Sequence, residues 1–184
     1  MSENFLSWAD FLVRPGDFFL TYSDDWFSRP INFFQKIKSP DGKAKYAHAG
    51  FFTDSFGHSY EALWTVGTKD FFDKHHGQEV CIFRHKGIKK KQAAESIRKI
   101  EDIYGEGKVY PAYRLLFMAL PGLAKWAPFG RGVCSEITAH FLEMCGVVKY
   151  HTGVTPDNIY DWAMDPWNVW TQEIFKGKVG GEHV

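Results

Sequence analysis

The stretch Gly130-Arg131-Gly132-Val133-Cys134-Ser135-Glu136-Ile137-Thr138-Ala139-His140-Phe141-Leu142 constrains this chain more than any other. Two glycines permit a tight, open turn, and the apolar residues that follow, Ile137, Phe141, Leu142 and Met144, recur at helical spacing. Cys134 therefore stands where a helix begins. Unpaired amide N–H groups and the positive end of the helix dipole at that place favour a thiolate over a thiol. A cysteine so placed suits a nucleophile, and its own N–H can help hold an oxyanion. The same residue also suits a small buried apolar side chain in a packed helix start, because free cysteine is among the most buried residue types. The choice between these readings depends on what lies upstream.

A nucleophilic cysteine needs a base, and the base needs an orienting partner. Tyr46-Ala47-His48-Ala49-Gly50-Phe51-Phe52 and His58-Ser59-Tyr60-Glu61-Ala62-Leu63 read as two short strands. Thr53-Asp54-Ser55-Phe56-Gly57 between them has turn chemistry, so a β-hairpin is expected. A turn centred between Asp54 and Ser55 pairs Phe52 with Gly57, Gly50 with Ser59 and His48 with Glu61. Any even-length loop keeps His48 and Glu61 on one face, since strand side chains alternate. The candidate site is therefore Cys134, His48 and Glu61. Glu136, in the first turn of the cysteine's helix, reads as serving the helix dipole or an ion pair.

The remaining pattern mixes strands and helices without strict βαβ alternation, which predicts α+β with a central antiparallel sheet packed against helices. Gly16 to Tyr22 and Glu79 to Arg84 read as buried strands, and Trp167 to Phe175 as a last strand with an alternating face. Lys89 to Tyr104 is a helix, with Ala93, Ile97, Ile100 and Tyr104 on one stripe and Gly105 as its stop. Helices are also expected around Asn4–Leu12, Ile31–Ile37 and Tyr113–Leu120, and from the Thr155-Pro156-Asp157-Asn158 cap to Met164; Asp70-Phe71-Phe72-Asp73 makes one helical turn at most. At 184 residues the chain has the length of one domain. Residues 1–15 read as an N-terminal extension and residues 177–184 as a loose Gly-rich tail.

Composition narrows the partners. With 22 basic and 22 acidic residues, nothing global points to nucleic acid or to an anionic membrane, and Lys86 to Lys91 reads as a solvated face. Three cysteines do not form a disulfide framework, and Cys134 and Cys145 on one helix sit roughly 16 Å apart, beyond disulfide reach. His75-His76 and Cys81 with His85 fit no standard structural-zinc spacing, so no metal is expected, and no glycine pattern supports a nucleotide or other cofactor. The longest apolar run, Leu115 to Leu123, is broken by Pro121 and too short for a bilayer span. Without a basic and then apolar leader at the N-terminus, the expected setting is reducing and cytoplasmic, with release by lysis or in a particle as the exception.

Taken together, Tyr46-Ala47-His48-Ala49-Gly50, Tyr60-Glu61-Ala62 and the helix-opening Cys134-Ser135-Glu136 resemble the circularly permuted branch of the NlpC-type, papain-like cysteine hydrolases, its YiiX-like members in particular. In that branch the histidine and its polar partner precede the cysteine, as they do here. Pro15-Gly16-Asp17 is similar to the family's opening and Thr155-Pro156-Asp157 to its segment after the nucleophile helix. The resemblance implies a permuted papain-like fold with Cys134 as nucleophile, His48 as base and Glu61 as orienter. It also implies hydrolysis or acyl transfer at an amide or ester carbonyl. Tyr22 is the candidate second oxyanion donor, and Tyr110 to Phe129 matches no motif. The aromatic load of 17% inclines the expected substrate toward an acyl-bearing lipid amide, with a peptidoglycan peptide as the enzymatic alternative and a non-catalytic binding or particle module as the other class.

Overall fold

Phe18-Phe19-Leu20-Thr21 sends alternate side chains into two apolar layers, and it forms the middle strand of the sheet. The computed structural model describes residues 5–6, 13–22, 45–62, 65–108 and 133–180. Their strands are β1 (Phe5–Leu6), β2 (Phe18–Thr21), β3 (His48–Phe52), β4 (His58–Ala62), β5 (Val66–Asp70), β6 (Glu79–His85) and β7 (Thr171–Val179). They form one sheet in the order β1-β7-β6-β2-β3-β4-β5, six strands antiparallel and β1 parallel to β7. The helices are α1 (Phe71–His75), α2 (Lys90–Tyr104), α3 (Cys134–Met144) and α4 (Pro156–Met164). The fold class is α+β, as the mixed pattern predicts.

The two faces of the sheet carry different layers. Phe18, Leu20, Ala49, Phe51, Tyr60, Cys81 and Phe83 face α2, α3 and α4 and form the larger core with Ile97, Ile100, Ile137 and Phe141. Phe19, Phe52, Val80 and Ile82 face the other way and pack with Phe71 and Phe72 of α1. At the start of β2, the buried Asp17 carboxylate accepts from the Arg14 N–H at 2.8 Å and from Arg84 Nε and Nη2 at 2.9 and 2.7 Å. This pins the entry of the middle strand to β6.

Several expectations need correction. The hairpin register is Gly50 with Glu61, Phe51 with Tyr60 and Phe52 with Ser59, two residues away from the expected pairing of His48 with Glu61. The turn lies further along because Asp54 Oδ1 accepts from the N–H groups of both Phe56 and His58, at 2.8 and 3.2 Å, and Gly57 takes a φ of 93°. The shift is even, so His48 and Glu61 still share a face. Val66–Asp70 is a strand despite Gly67, Lys69 and Asp70, since pairing along the whole of β4 outweighs weak local propensity. The last strand runs Thr171–Val179, taking in residues 177–179 of the expected loose tail, and a bulge opposite Ile82 and Phe83 breaks its alternation. Phe5–Leu6 is extended along that strand instead of helical. The one turn expected at Asp70–Asp73 continues to His75, capped by Asp70, whose side chain accepts from the N–H groups of Phe72 and Asp73. The helices expected at Ile31–Ile37 and Tyr113–Leu120 lie outside the described residues. Lys90–Tyr104 and Pro156–Met164 match their expected helices, the first stopped by Gly105 at φ 70° and the second capped by Thr155.

Candidate active site

Cys134 is the first residue of α3, held there from below by its own helix. Glu136 Oε2 accepts from the Val133 N–H at 3.2 Å, and its Oε1 accepts from Gly153 N–H at 2.9 Å, so this buried carboxylate caps the helix and ties a later loop to it. Ser135 donates its hydroxyl to the Val154 carbonyl at 2.6 Å, a second tie to the same loop. Glu136 thus serves the helix start, as the sequence suggests.

His48 opens β3, and its face is the one shared by Gly50, Glu61 and Phe52. Glu61 lies diagonally across the β3–β4 ladder, and Gly50, directly opposite it, has no side chain to block the diagonal. His48 Nε2 and Glu61 Oε2 are 2.6 Å apart. With Nε2 engaged, Nδ1 is the ring nitrogen left for the sulfur of Cys134, to which His48 is hydrogen-bonded. The structure brings the three candidate residues together in the order Cys134, His48, Glu61, at exposures of 6%, 7% and 1%.

Electrostatics follow the geometry. Burial pushes the Cys134 thiol up, but the adjacent His48 charge and hydrogen bond, with the N–H groups of Ala49 and Ser135, outweigh it and hold the thiol below its ordinary value. Burial would lower His48, yet Cys134 and Glu61 on its two sides raise it to about 10. Burial would likewise raise Glu61, and the two imidazoles around it hold it well below the usual carboxylate range. The other cysteines behave differently. Burial and the Glu173 carboxylate, 3.1 Å from its sulfur, push Cys81 up, and burial pushes Cys145 up. All three thiols are free.

A fourth residue belongs to this cluster and was assigned no role from sequence. His75 Nε2 lies 3.0 Å from Glu61 Oε2 and 3.3 Å from Oε1, while its Nδ1 meets Gln78 Oε1 at 2.8 Å. Ser59 donates its hydroxyl to Glu61 Oε1 at 2.8 Å. The signal for His75 was the Asp70 cap followed by Phe71 and, one helical turn on, His75, which share the inward side of α1. Ligand atoms of His48, Glu61 and His75 all lie within 4.8 Å of one another, a donor set of the type that binds zinc; here they are hydrogen-bonded among themselves. Of the other residues weighed for a metal, Cys81 and His85 stand apart: Cys81 meets Glu173, and the His85 ring stacks on Trp162. Tyr22 follows Thr21, the register partner of His48, and its N–H is bonded to the Glu79 carbonyl at 2.9 Å.

No family model and no curated protein matches this chain. Among the described residues, no helix is long and apolar enough to cross a membrane.

Proposed function

We propose that this protein is a cysteine hydrolase or acyltransferase acting on an amide or ester carbonyl, on a circularly permuted papain-like fold of the NlpC type, YiiX-like in its order of residues. One observation carries the reading: a sulfur whose ionisation is favoured at a helix start, hydrogen-bonded to an imidazole whose other nitrogen is 2.6 Å from a buried carboxylate. The Cys134 thiolate attacks the carbonyl carbon, forming the C–S bond, and electrons move to the carbonyl oxygen. Collapse of that oxyanion expels the amine or alcohol, which takes the proton held by His48. Water or an acceptor amine then attacks the thioester, giving a proton to His48, and the thiolate leaves. Glu61 holds the ring orientation and offsets the imidazolium charge throughout. A thiolate nucleophile works only when reduced, which fits a reducing compartment such as the cytoplasm.

The aromatic load favours an acyl-bearing amide over a bare peptide. Incubation with a lipid-amide panel and with purified cell-wall fragments, followed by intact-mass measurement, tests both. An acyl adduct mapped to Cys134 supports the reading and names the substrate class. A second reading, a non-catalytic module, draws on the 6% exposure of the Cys134 side. It prevails where no adduct forms and Cys134 alkylates no faster than Cys81 and Cys145.

A further inference from the structure

The buried carboxylate at the centre of this site is held by two imidazoles, and only one of them meets the sulfur. His75 comes from α1, a separate element from the hairpin that carries His48 and Glu61. Its Nε2 spans both Glu61 oxygens, at 3.0 and 3.3 Å, and the nearer of them, Oε2, is the one that meets His48. The two imidazoles lie 5.8 Å apart between centroids with planes 27° from parallel, stacked beside one another, and both reach Glu61 Oε2. Phe19 and Phe71 wall His75, with ring centroids 5.3 and 5.1 Å away, and His75 itself is 1% exposed. At the outer end Gln78 fixes Nδ1. The result is a continuous line from Gln78 through His75, Glu61 and His48 to Cys134.

We infer that His75 is a positioning residue, which holds both oxygens of the buried Glu61 carboxylate and aims Oε2 at His48. This rests on the Cys134–His48–Glu61 reading above. The physical reason is desolvation: an ionised carboxylate at 1% exposure has no water to hold it, so its charge depends on the donors that reach it. Those donors are the Ser59 hydroxyl, His48 and His75. From β5, the position opposite Glu61 is Gly67, and the next residue of that face, Lys69, gives its ammonium to the Thr65 hydroxyl at 3.0 Å. From α3, Cys134 faces His48 and not Glu61. Without His75 the carboxylate keeps one neutral donor and His48, and it takes up a proton at a higher pH. A protonated Glu61 no longer braces an imidazolium, so the Cys134–His48 ion pair forms only at higher pH. His75 also draws on the lone pairs of Glu61 and so competes with His48 for them. That opposite effect predicts a shift to lower pH, which makes the sign decisive.

The test is the pH profile of Cys134 alkylation by iodoacetamide, mapped by mass spectrometry, which needs no substrate. His75→Leu is expected to move the acid limb up by about one pH unit, a roughly tenfold loss of rate on the limb. His75→Gln, which keeps an N–H for Glu61, is expected to recover more than half of that shift. In a Glu61→Gln background, His75→Leu is expected to add less than about twofold, because the two act as one unit. Where His75→Leu does not fold, Gln78→Ala removes the outer anchor alone and is expected to shift the limb in the same direction. An unmoved or lowered limb in folded His75→Leu or in Gln78→Ala overturns the assignment, as do a His75→Gln shift as large as that of His75→Leu and a full His75→Leu effect without Glu61. His48→Ala separates this from the parent reading: Cys134 labelling unchanged there removes the dyad itself, whereas a His48 effect with no His75 effect removes only the positioning role.

Discussion

Phe51 of β3 and Phe141 of α3 lie face to face, ring centroids 4.3 Å apart and planes 14° from parallel. Both are fully buried. The strand that carries His48 and the helix that carries Cys134 therefore meet through an aromatic stack as well as through the His48–Cys134 hydrogen bond, and the stack helps seat the helix on the sheet. Phe141→Ala is expected to cost about 3–5 kcal/mol of stability, since a cavity opens between two rigid elements. Urea unfolding checks this, with a lowered midpoint at an unchanged slope. A loss under about 1 kcal/mol shows that other contacts seat α3.

The three thiols are expected to part company as pH rises. Cys134 is lowered and His48 raised to about 10, so between those two ionisations the pair stands as thiolate and imidazolium. Its alkylation rate is expected to climb on the acid side and then stay level through neutrality. Cys81 and Cys145, both pushed up, are expected to react only toward the alkaline end. At neutral pH Cys134 should label at least about tenfold faster than either. His48→Ala removes the stabilising charge, and the Cys134 limb moves up toward the ordinary thiol value of about 8.5. Peptide mapping after timed iodoacetamide treatment reads all three sites in one experiment.

Gly50 is a test of the diagonal. A Cβ at this position stands 2.5 Å from Phe19 Cζ, closer than carbon atoms tolerate, and 3.1 Å from Glu61 Cβ, a tight contact that Glu61 meets by a small shift. Phe19 cannot retreat freely, because its ring packs on Phe71 at 4.8 Å and His75 at 5.3 Å. Gly50→Ala is expected to destabilise the protein by about 1–3 kcal/mol and to slow Cys134 labelling at neutral pH through displaced Glu61. Thermal unfolding together with the labelling rate checks both parts. A variant as stable and as reactive as the parent shows that Phe19 has room to move.

The same diagonal marks how far the residues alone could be read. Period-two alternation put His48 and Glu61 on one face whatever even loop joined them, so the partnership was legible while the register was not. The register turned on a local competition inside the loop, where the Asp54 carboxylate collects two N–H groups and draws the turn toward Gly57. Cys134 was legible because glycines and a helical stripe flank it. His75 was not, since its partner Glu61 comes from another part of the chain and a five-residue helix gives little periodicity to read. β5 was missed for a related reason: Gly67, Lys69 and Asp70 disfavour a strand locally, and only the ladder to β4 makes one. Long-range pairing is the information that spacing does not hold.

Glu136 provides the sharpest check on which carboxylate takes part in the chemistry. It sits two residues from Cys134, buried, and bonds the N–H groups of Val133 and Gly153. Glu136→Ala leaves both without this acceptor and is expected to cost about 1–2 kcal/mol, as lost caps do. Its effect on reactivity should differ in kind from that of Glu61. Removing a negative charge beside the helix start makes that end more favourable to a thiolate, so the acid limb of Cys134 labelling stays in place or moves slightly down. Glu61→Gln removes the brace of the imidazolium, and the limb moves up. Two carboxylates near one sulfur are thus told apart by the direction of a single titration. An upward move in Glu136→Ala as large as that of Glu61→Gln places Glu136 in the relay beside His48 and reassigns its capping bonds to a secondary role.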